Sequence, residues 1–165
     1  MATITRKGVV IETCGELPRT GTTAPGFTLV DTELDDRSLA EFSGKTVILN
    51  IFPSIDTPTC ARSVRKFNEE AARMSNGVVL CISPDLPFAH KRFCETEGIE
   101  NVLSLSTFRA PDFGDTYGVT LTTTQRRGLL ARAVVVIDGE GTVIHTQLVP
   151  ELTEEPDYST ILDVI

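Results

Sequence analysis

Tryptophan is absent from this chain, and histidine appears only twice, at His90 and His145. Neither histidine has a cysteine or carboxylate at ligand spacing, and no C-x-x-C occurs, which argues against a zinc site. No G-x-G-x-x-G and no P-loop lysine motif is present. Neither a metal nor a cofactor is expected. No apolar run approaches the ~18 residues of a membrane span. The opening residues, Met1 to Val10, have no apolar h-region and no signal-peptide cleavage pattern. Basic residues are also short: 15 Lys and Arg stand against 23 Asp and Glu, a net charge of -8. That balance disfavours a nucleic-acid partner, which needs a basic face, and docking to anionic membranes. The expected address is cytoplasmic and reducing, so the four cysteines read as thiols and not as a disulfide framework.

What remains is ordinary globular material: 165 residues, 41% hydrophobic and 23% charged. That length suits one domain over residues 1–165, since domains usually run ~100–200 residues. No repeat, low-complexity tract or linker divides it. Thr3–Thr5 and Val9–Glu12 flank Arg6-Lys7-Gly8 as a small hairpin. Phe27–Val30 is a short strand, and Ser38–Phe42 a short helix stopped by Gly44. Thr46–Phe52 is nearly all apolar and β-branched, which suits a central strand buried on both faces. Val78–Ser83 reads the same way, and Val102–Leu105 is a third strand. Ala131–Ile137 and Thr142–Val149 form a hairpin across Asp138-Gly139-Glu140-Gly141.

Helices fall between these strands. Thr57 suits an N-cap and Pro58 the first helical position. Cys60, Val64, Phe67, Ala71 and Met74 then share one stripe at helical spacing. Pro87–Glu97 is a second helix, closed by Gly98; Pro111–Tyr117 is a third. Tyr158, Ile161, Leu162 and Ile165 mark a fourth. The alternation predicts an α/β fold with a parallel core, and the late hairpin adds antiparallel edges.

The chemistry concentrates at Pro53-Ser-Ile-Asp-Thr57-Pro-Thr-Cys60. Cys60 falls in the first turn of a helix that follows a buried strand. There the free backbone N–H groups and the positive dipole end favour a thiolate over a thiol. Cys60 also lies on the apolar stripe, so the same position suits a small buried hydrophobe. Cys94 lies in the second helix beside the polar Glu95-Thr96-Glu97. Cys81 sits inside a buried strand and reads as an inert core thiol. Cys14 has no chemistry around it. The two histidines read as surface residues. Arg132 is a charge inside an apolar strand, and a semi-buried guanidinium needs a partner. That partner is either a structural carboxylate or a catalytic anion.

Pro53-x-x-x-Thr57-x-x-Cys60 resembles the active-site motif of peroxiredoxins, and the chain is more narrowly similar to the bacterial thiol peroxidase subfamily. The similarity is carried by Asn50 to Thr57, Ser63-Val-Arg-Lys-Phe-Asn68, Val78 to Ser83, Asp85-Leu-Pro-Phe-Ala89, Arg92-Phe-Cys94, Leu105-Ser-Thr-Phe-Arg109, Ala131 to Asp138 and Glu155-Pro-Asp-Tyr158. These stretches span most of the chain. The resemblance implies a thioredoxin-like fold, a mixed central sheet flanked by helices, with an N-terminal β-hairpin. It implies an atypical 2-Cys mechanism within one chain, with Cys60 as peroxidatic and Cys94 as resolving cysteine. Pro53, Thr57 and Arg132 match the remaining active-site positions. It further implies a homodimer, thioredoxin as reductant, and hydrogen peroxide and alkyl or lipid hydroperoxides as substrates; the dimer interface is expected beside the active site, with Asp56 and Arg109 as candidates for it.

Cys14 is outside the family pattern, and the loop 120–128, Thr-Leu-Thr-Thr-Thr-Gln-Arg-Arg-Gly, is variable, so it leaves substrate preference open. Two other readings of a reactive cysteine compete. A thiol–disulfide oxidoreductase would want C-x-x-C at the helix start, where this chain has Thr57-Pro58-Thr59-Cys60. A redox-sensing or holdase module would not require Thr57 or Arg132.

Overall fold

In a computed structural model describing residues 1–165, the apolar runs assemble into one seven-stranded sheet. Its central strand, β5 (Thr46–Ile51), pairs in parallel with β6 (Gly77–Ser83), which pairs in parallel with β7 (Leu103–Ser106). On its other side β5 pairs antiparallel with β8 (Ala133–Ile137), and β8 with β9 (Val143–Leu148). At the far edge β7 meets β3 (Thr28–Val30), which pairs with β4 (Asp36–Ser38). The strand order is β4-β3-β7-β6-β5-β8-β9. A separate hairpin, β1 (Thr3–Arg6) with β2 (Val9–Glu12), stands at the N-terminus. The mixed sheet and the added hairpin match the sequence expectation.

Period-two alternation explains the two cores. On β5, Val47, Leu49 and Ile51 face one side, and Ile48 and the following Phe52 face the other. On β8, Ala133, Val135 and Ile137 oppose Val134 and Val136 in the same way. The first face is covered by α3 (Asp112–Thr116), whose Phe113 packs beside Tyr117, and by Ile4 and Ile11 of the hairpin. Ile4 and Ile11 are directly paired across the hairpin and both are buried. Burying each stabilises by about 1.5–3 kcal/mol, which fixes the hairpin onto the body.

The second face is covered by α1 (Pro58–Ala71), α2 (Pro87–Glu97) and α4 (Tyr158–Leu162). The stripe Cys60, Val64, Phe67 of α1 is buried there, as spacing predicts. Helix α2 ends at Gly98 in the left-handed region (φ 66°), a conformation glycine adopts without a Cβ penalty. No helix is long and apolar enough to cross a membrane.

Three local expectations need correction. Strand β4 was not anticipated, because Asp36-Arg37-Ser38 carries no apolar alternation; its backbone pairing at the sheet edge makes it a strand. The segment Leu39–Phe42 is a 3₁₀ turn, with Glu41 reaching back to the Ser38 N–H. Strand β8 begins at Ala133, so Arg132 sits on its threshold and not inside it.

Candidate active site

The loop between β5 and α1 delivers Cys60 to the carboxyl end of the parallel strands. Thr57 occupies the N-cap position with extended backbone, as its sequence position suggests, but its side chain does not cap the helix. Its hydroxyl donates to Ser54 O at 2.9 Å. The first helical amides therefore keep no side-chain acceptor, and Pro58 contributes no N–H at all. This leaves the positive end of α1 open at Cys60.

Cys60 is fully buried, and its sulfur accepts from Arg132 Nη1 at 3.3 Å. Arg132 is 2% exposed and has no carboxylate partner; its Nη2 donates to Leu152 O at 2.9 Å. Its Nε has no partner. Of the two partners open to Arg132, the sulfur is the one present. A buried guanidinium with no carboxylate is costly unless an anion answers it, and the Cys60 sulfur is positioned to do so. The orientation is set from outside the site: Thr59 Oγ1 donates to Thr153 O at 3.2 Å, tying the helix start to the segment that supplies Leu152. Ser63 Oγ donates to Cys60 O at 2.9 Å from one turn further on.

Pro53, Thr57 and Arg132 line a cleft of about 320 Å³. Pro53 is buried, and Thr57 is exposed at the mouth. The structure thus brings four of the sequence candidates, Pro53, Thr57, Cys60 and Arg132, to one place. Cys94 packs against the edge of the same core as Cys60, with its Sγ 3.5 Å from Ser104 Oγ. All four cysteines are free thiols. Burial pushes the Cys94 thiol up, partly opposed by the Ser104 hydrogen bond. Cys81 is fully buried and pushed up to about 12 by desolvation, with the Asn50 amide 3.7 Å from its sulfur opposing. Cys14 is exposed against Gly114 O. Asp56 pairs with Arg92 at 3.4 Å and Arg109 with Asp36 at 2.7 Å, all four exposed.

One group escaped the sequence reading. Asp85 accepts from Ser54 Oγ at 2.9 Å and Ile55 N–H at 2.7 Å, which fixes the loop leading to Cys60. Its carboxylate also accepts from Ser83 Oγ, which lies 3.0 Å from His90 Nε2. His90 is 1% exposed, so its expected surface position is corrected: the turn of α2 that carries it faces Phe52 and Ser83. Desolvation holds its imidazole below the usual histidine range, with Asp85 and Asp56 opposing. His145, expected at the surface, is half-buried on β9. The signal for this group is Ser83-x-Asp85 at the end of a buried strand, where a half-buried carboxylate finds several hydrogen-bond donors.

The redoxin family profile matches residues 19–162. A thiol peroxidase of Mycobacterium tuberculosis is 55% identical over 162 residues, 98% of this chain and 97% of that protein. The Mycobacterium bovis thiol peroxidase matches to the same extent. A crystal structure of a peroxiredoxin-like protein from Aquifex aeolicus superposes with a TM-score of 0.94 at 39% identity, covering 99% of this chain and 95% of that one. A thiol peroxidase from Chromobacterium violaceum shares the fold, with a TM-score of 0.91 at 23% identity over 99% and 95% of the two chains. A cysteine at an open helix start, a buried arginine on its sulfur and near full-length likeness to named peroxidases agree: the chain belongs to the redoxin family and is a thiol peroxidase of the peroxiredoxin type.

Proposed function

We propose that Cys60 is the peroxidatic cysteine and Cys94 the resolving one of a thioredoxin-dependent cycle acting on hydrogen peroxide and organic hydroperoxides. The observation that carries this is the buried Arg132 fork, with one nitrogen on the Cys60 sulfur and the other on Leu152 O. The guanidinium lies against the Cys60 sulfur, and its unpartnered Nε–H remains as a donor for the oxygen where negative charge develops. The Cys60 thiolate attacks the terminal oxygen of ROOH. The O–O bond breaks, an S–O bond forms, and RO⁻ leaves to take up a proton as alcohol or water. Turning the Thr57 hydroxyl from Ser54 O toward the incoming peroxide would supply a further donor. Pro53, which has no N–H, shields the sulfur from water.

The Cys94 thiol then displaces hydroxide from the Cys60 sulfenic acid, giving water and an intramolecular disulfide. A dithiol of the thioredoxin class reduces it by exchange. The working unit is a homodimer in the cytoplasm, with Asp56 and Arg109 near its interface; a monomer by light scattering at micromolar concentration contradicts the dimer.

Thioredoxin-coupled consumption of cumene hydroperoxide tests the cycle. Cys60→Ser loses all but a few per cent of the rate, because a serine hydroxyl is not ionised near pH 7. Cys94→Ser gives one turnover, then stalls; intact mass shows Cys60 carried to sulfinic acid by excess peroxide. Cys14→Ser and Cys81→Ala still form the disulfide. Loss of it in either shows that the pairing is wrong.

A further inference from the structure

The cleft over the active site is cationic on an acidic protein. Eight of the fifteen Lys and Arg side chains pair with a carboxylate within 4 Å, which leaves seven without one. Four of those seven, Arg6, Lys7, Arg126 and Arg132, line this one cleft. No aspartate or glutamate lines it, although the chain has 23 of them. Arg132 is taken up by the Cys60 sulfur and Leu152 O. Arg6, Lys7 and Arg126 have no side-chain hydrogen bond or ion pair that holds them elsewhere, and they come from two separate places in the sequence, the tip of the β1–β2 hairpin and the loop 120–128.

Glu151, whose carboxylate touches the Lys7 backbone, forms no ion pair with these side chains within 4 Å. It accepts from the Lys7 backbone N–H at 2.6 Å and from Thr153 N and Oγ1 at 2.8 and 2.7 Å. It therefore braces the hairpin tip against the cleft wall through backbone and hydroxyl donors. Both supporting turns put a non-glycine residue in the left-handed region, Lys7 at φ 49° and Thr124 at φ 66°. At the hairpin tip, asparagine or glycine would suit the turn better than lysine. Unpaired like charges gathered in one concave place repel each other and concentrate anions there.

We infer that the cleft selects hydroperoxides whose carbon skeleton carries an ionised carboxylate, with the peroxide group at Cys60 and Arg132 and the carboxylate at Arg6, Lys7 and Arg126. This rests on the peroxidase reading of Cys60 and adds the chemistry of the substrate's far end. The cleft volume, about 320 Å³, is at the lower end of small-molecule sites and far exceeds hydrogen peroxide, for which water at about 30 Å³ is the gauge. The variable loop 120–128 supplies Arg126, so it sets this preference.

The test pairs two probes of one shape: cumene hydroperoxide bearing a para carboxylate, and the methyl ester of that acid. Single-turnover loss of the Cys60 thiol in the reduced enzyme gives the rate constant for each. The acid is expected to react about tenfold or more faster than the ester at low salt. The ratio falls toward one as ionic strength rises beyond 0.5 M. In the triple variant Arg6→Gln, Lys7→Gln, Arg126→Gln, the ratio falls to one at low salt. Because both probes are read on the same protein, partial unfolding cancels from the ratio. Equal rates for acid and ester in the unaltered enzyme overturn this inference and leave the peroxidase reading standing. A preference that survives in the triple variant removes these three residues from it. Failure of both probes to oxidise Cys60 overturns the peroxidase reading, and this inference with it.

Discussion

Arg132 spans two acceptors with a rigid fork, Cys60 Sγ at 3.3 Å and Leu152 O at 2.9 Å. A lysine has a single nitrogen on a flexible stem and cannot hold both at once with that geometry. Arg132→Lys keeps the charge, so any loss of rate reports geometry. Peroxide turnover measured as kcat/KM is expected to fall at least tenfold, and a value within twofold of the unaltered enzyme would reduce Arg132 to a structural cation. The need for a partner to Arg132 was legible in the sequence, because one guanidinium interrupts Leu129-Leu-Ala-Arg-Ala-Val-Val-Val-Ile137. Which partner it takes was not legible, because Leu152 and Cys60 are distant in the chain. Thr57 is a similar case. Its N-cap position follows from the Pro58 that comes after it, but the choice of Ser54 O for its hydroxyl is set by the loop's path.

At the scale of elements, the strands that build the centre were plain from composition, since β5, β6 and β8 are β-branched runs buried on both faces. Strand β4 was invisible because its three polar residues owe their conformation to β3 beside them. Pro87 and Gly98 mark helix α2 in the sequence, but the expectation of a surface His90 fails, since His90 and Pro87 are the buried residues of that helix. His90 then makes a pH prediction. Its native value lies below the ordinary histidine range because of burial, while the unfolded chain titrates near ~6.5. Below that pH the unfolded state binds more protons than the native state. The stability from His90 is therefore complete above about 6.5 and is lost as pH falls through the depressed native value. Urea unfolding between pH 7.5 and 5.0 should show a shallower loss in His90→Gln than in the unaltered protein. Parallel curves would place the acid sensitivity elsewhere.

For the whole molecule, the proposed cycle asks two incompatible things of one fold. Peroxide activation needs the first turn of α1 wound, because its free N–H groups and dipole end support the Cys60 sulfur. Disulfide formation needs the sulfur of Cys94 to leave Ser104 and reach Cys60, and a disulfide tolerates Cα atoms no more than about 7 Å apart. With Cys60 on Arg132 and Cys94 on Ser104, the cycle is expected to open one of the two helices, and their packing decides which opens further. Helix α1 buries seven residues, whereas α2 buries two, both near its start. The rest of α2 packs only the half-buried Phe93 and Cys94 against the core and adds exposed ion pairs: Arg65–Glu97 at 2.7 Å, Lys91–Glu33 at 3.0 Å and Arg92–Asp56 at 3.4 Å. Exposed pairs of this kind contribute little, because water and salt screen them. The carboxyl half of α2 is thus the low-cost element, and the hydrogen-bonded Ser83–Asp85–His90 group, with Ser83 and His90 buried, anchors its start. Closing the loop from Cys60 to Cys94 also removes unfolded-state entropy worth roughly 3–4 kcal/mol, so oxidation can loosen α2 without lowering global stability. Hydrogen exchange on the reduced and disulfide forms is expected to be faster in the disulfide form around residues 88–98, and to a smaller extent around 57–64. Strand β5, in the middle of the sheet, is expected to exchange alike in both. Identical exchange over 88–98 in the two redox states would mean that Cys94 reaches Cys60 by some route other than the opening of α2.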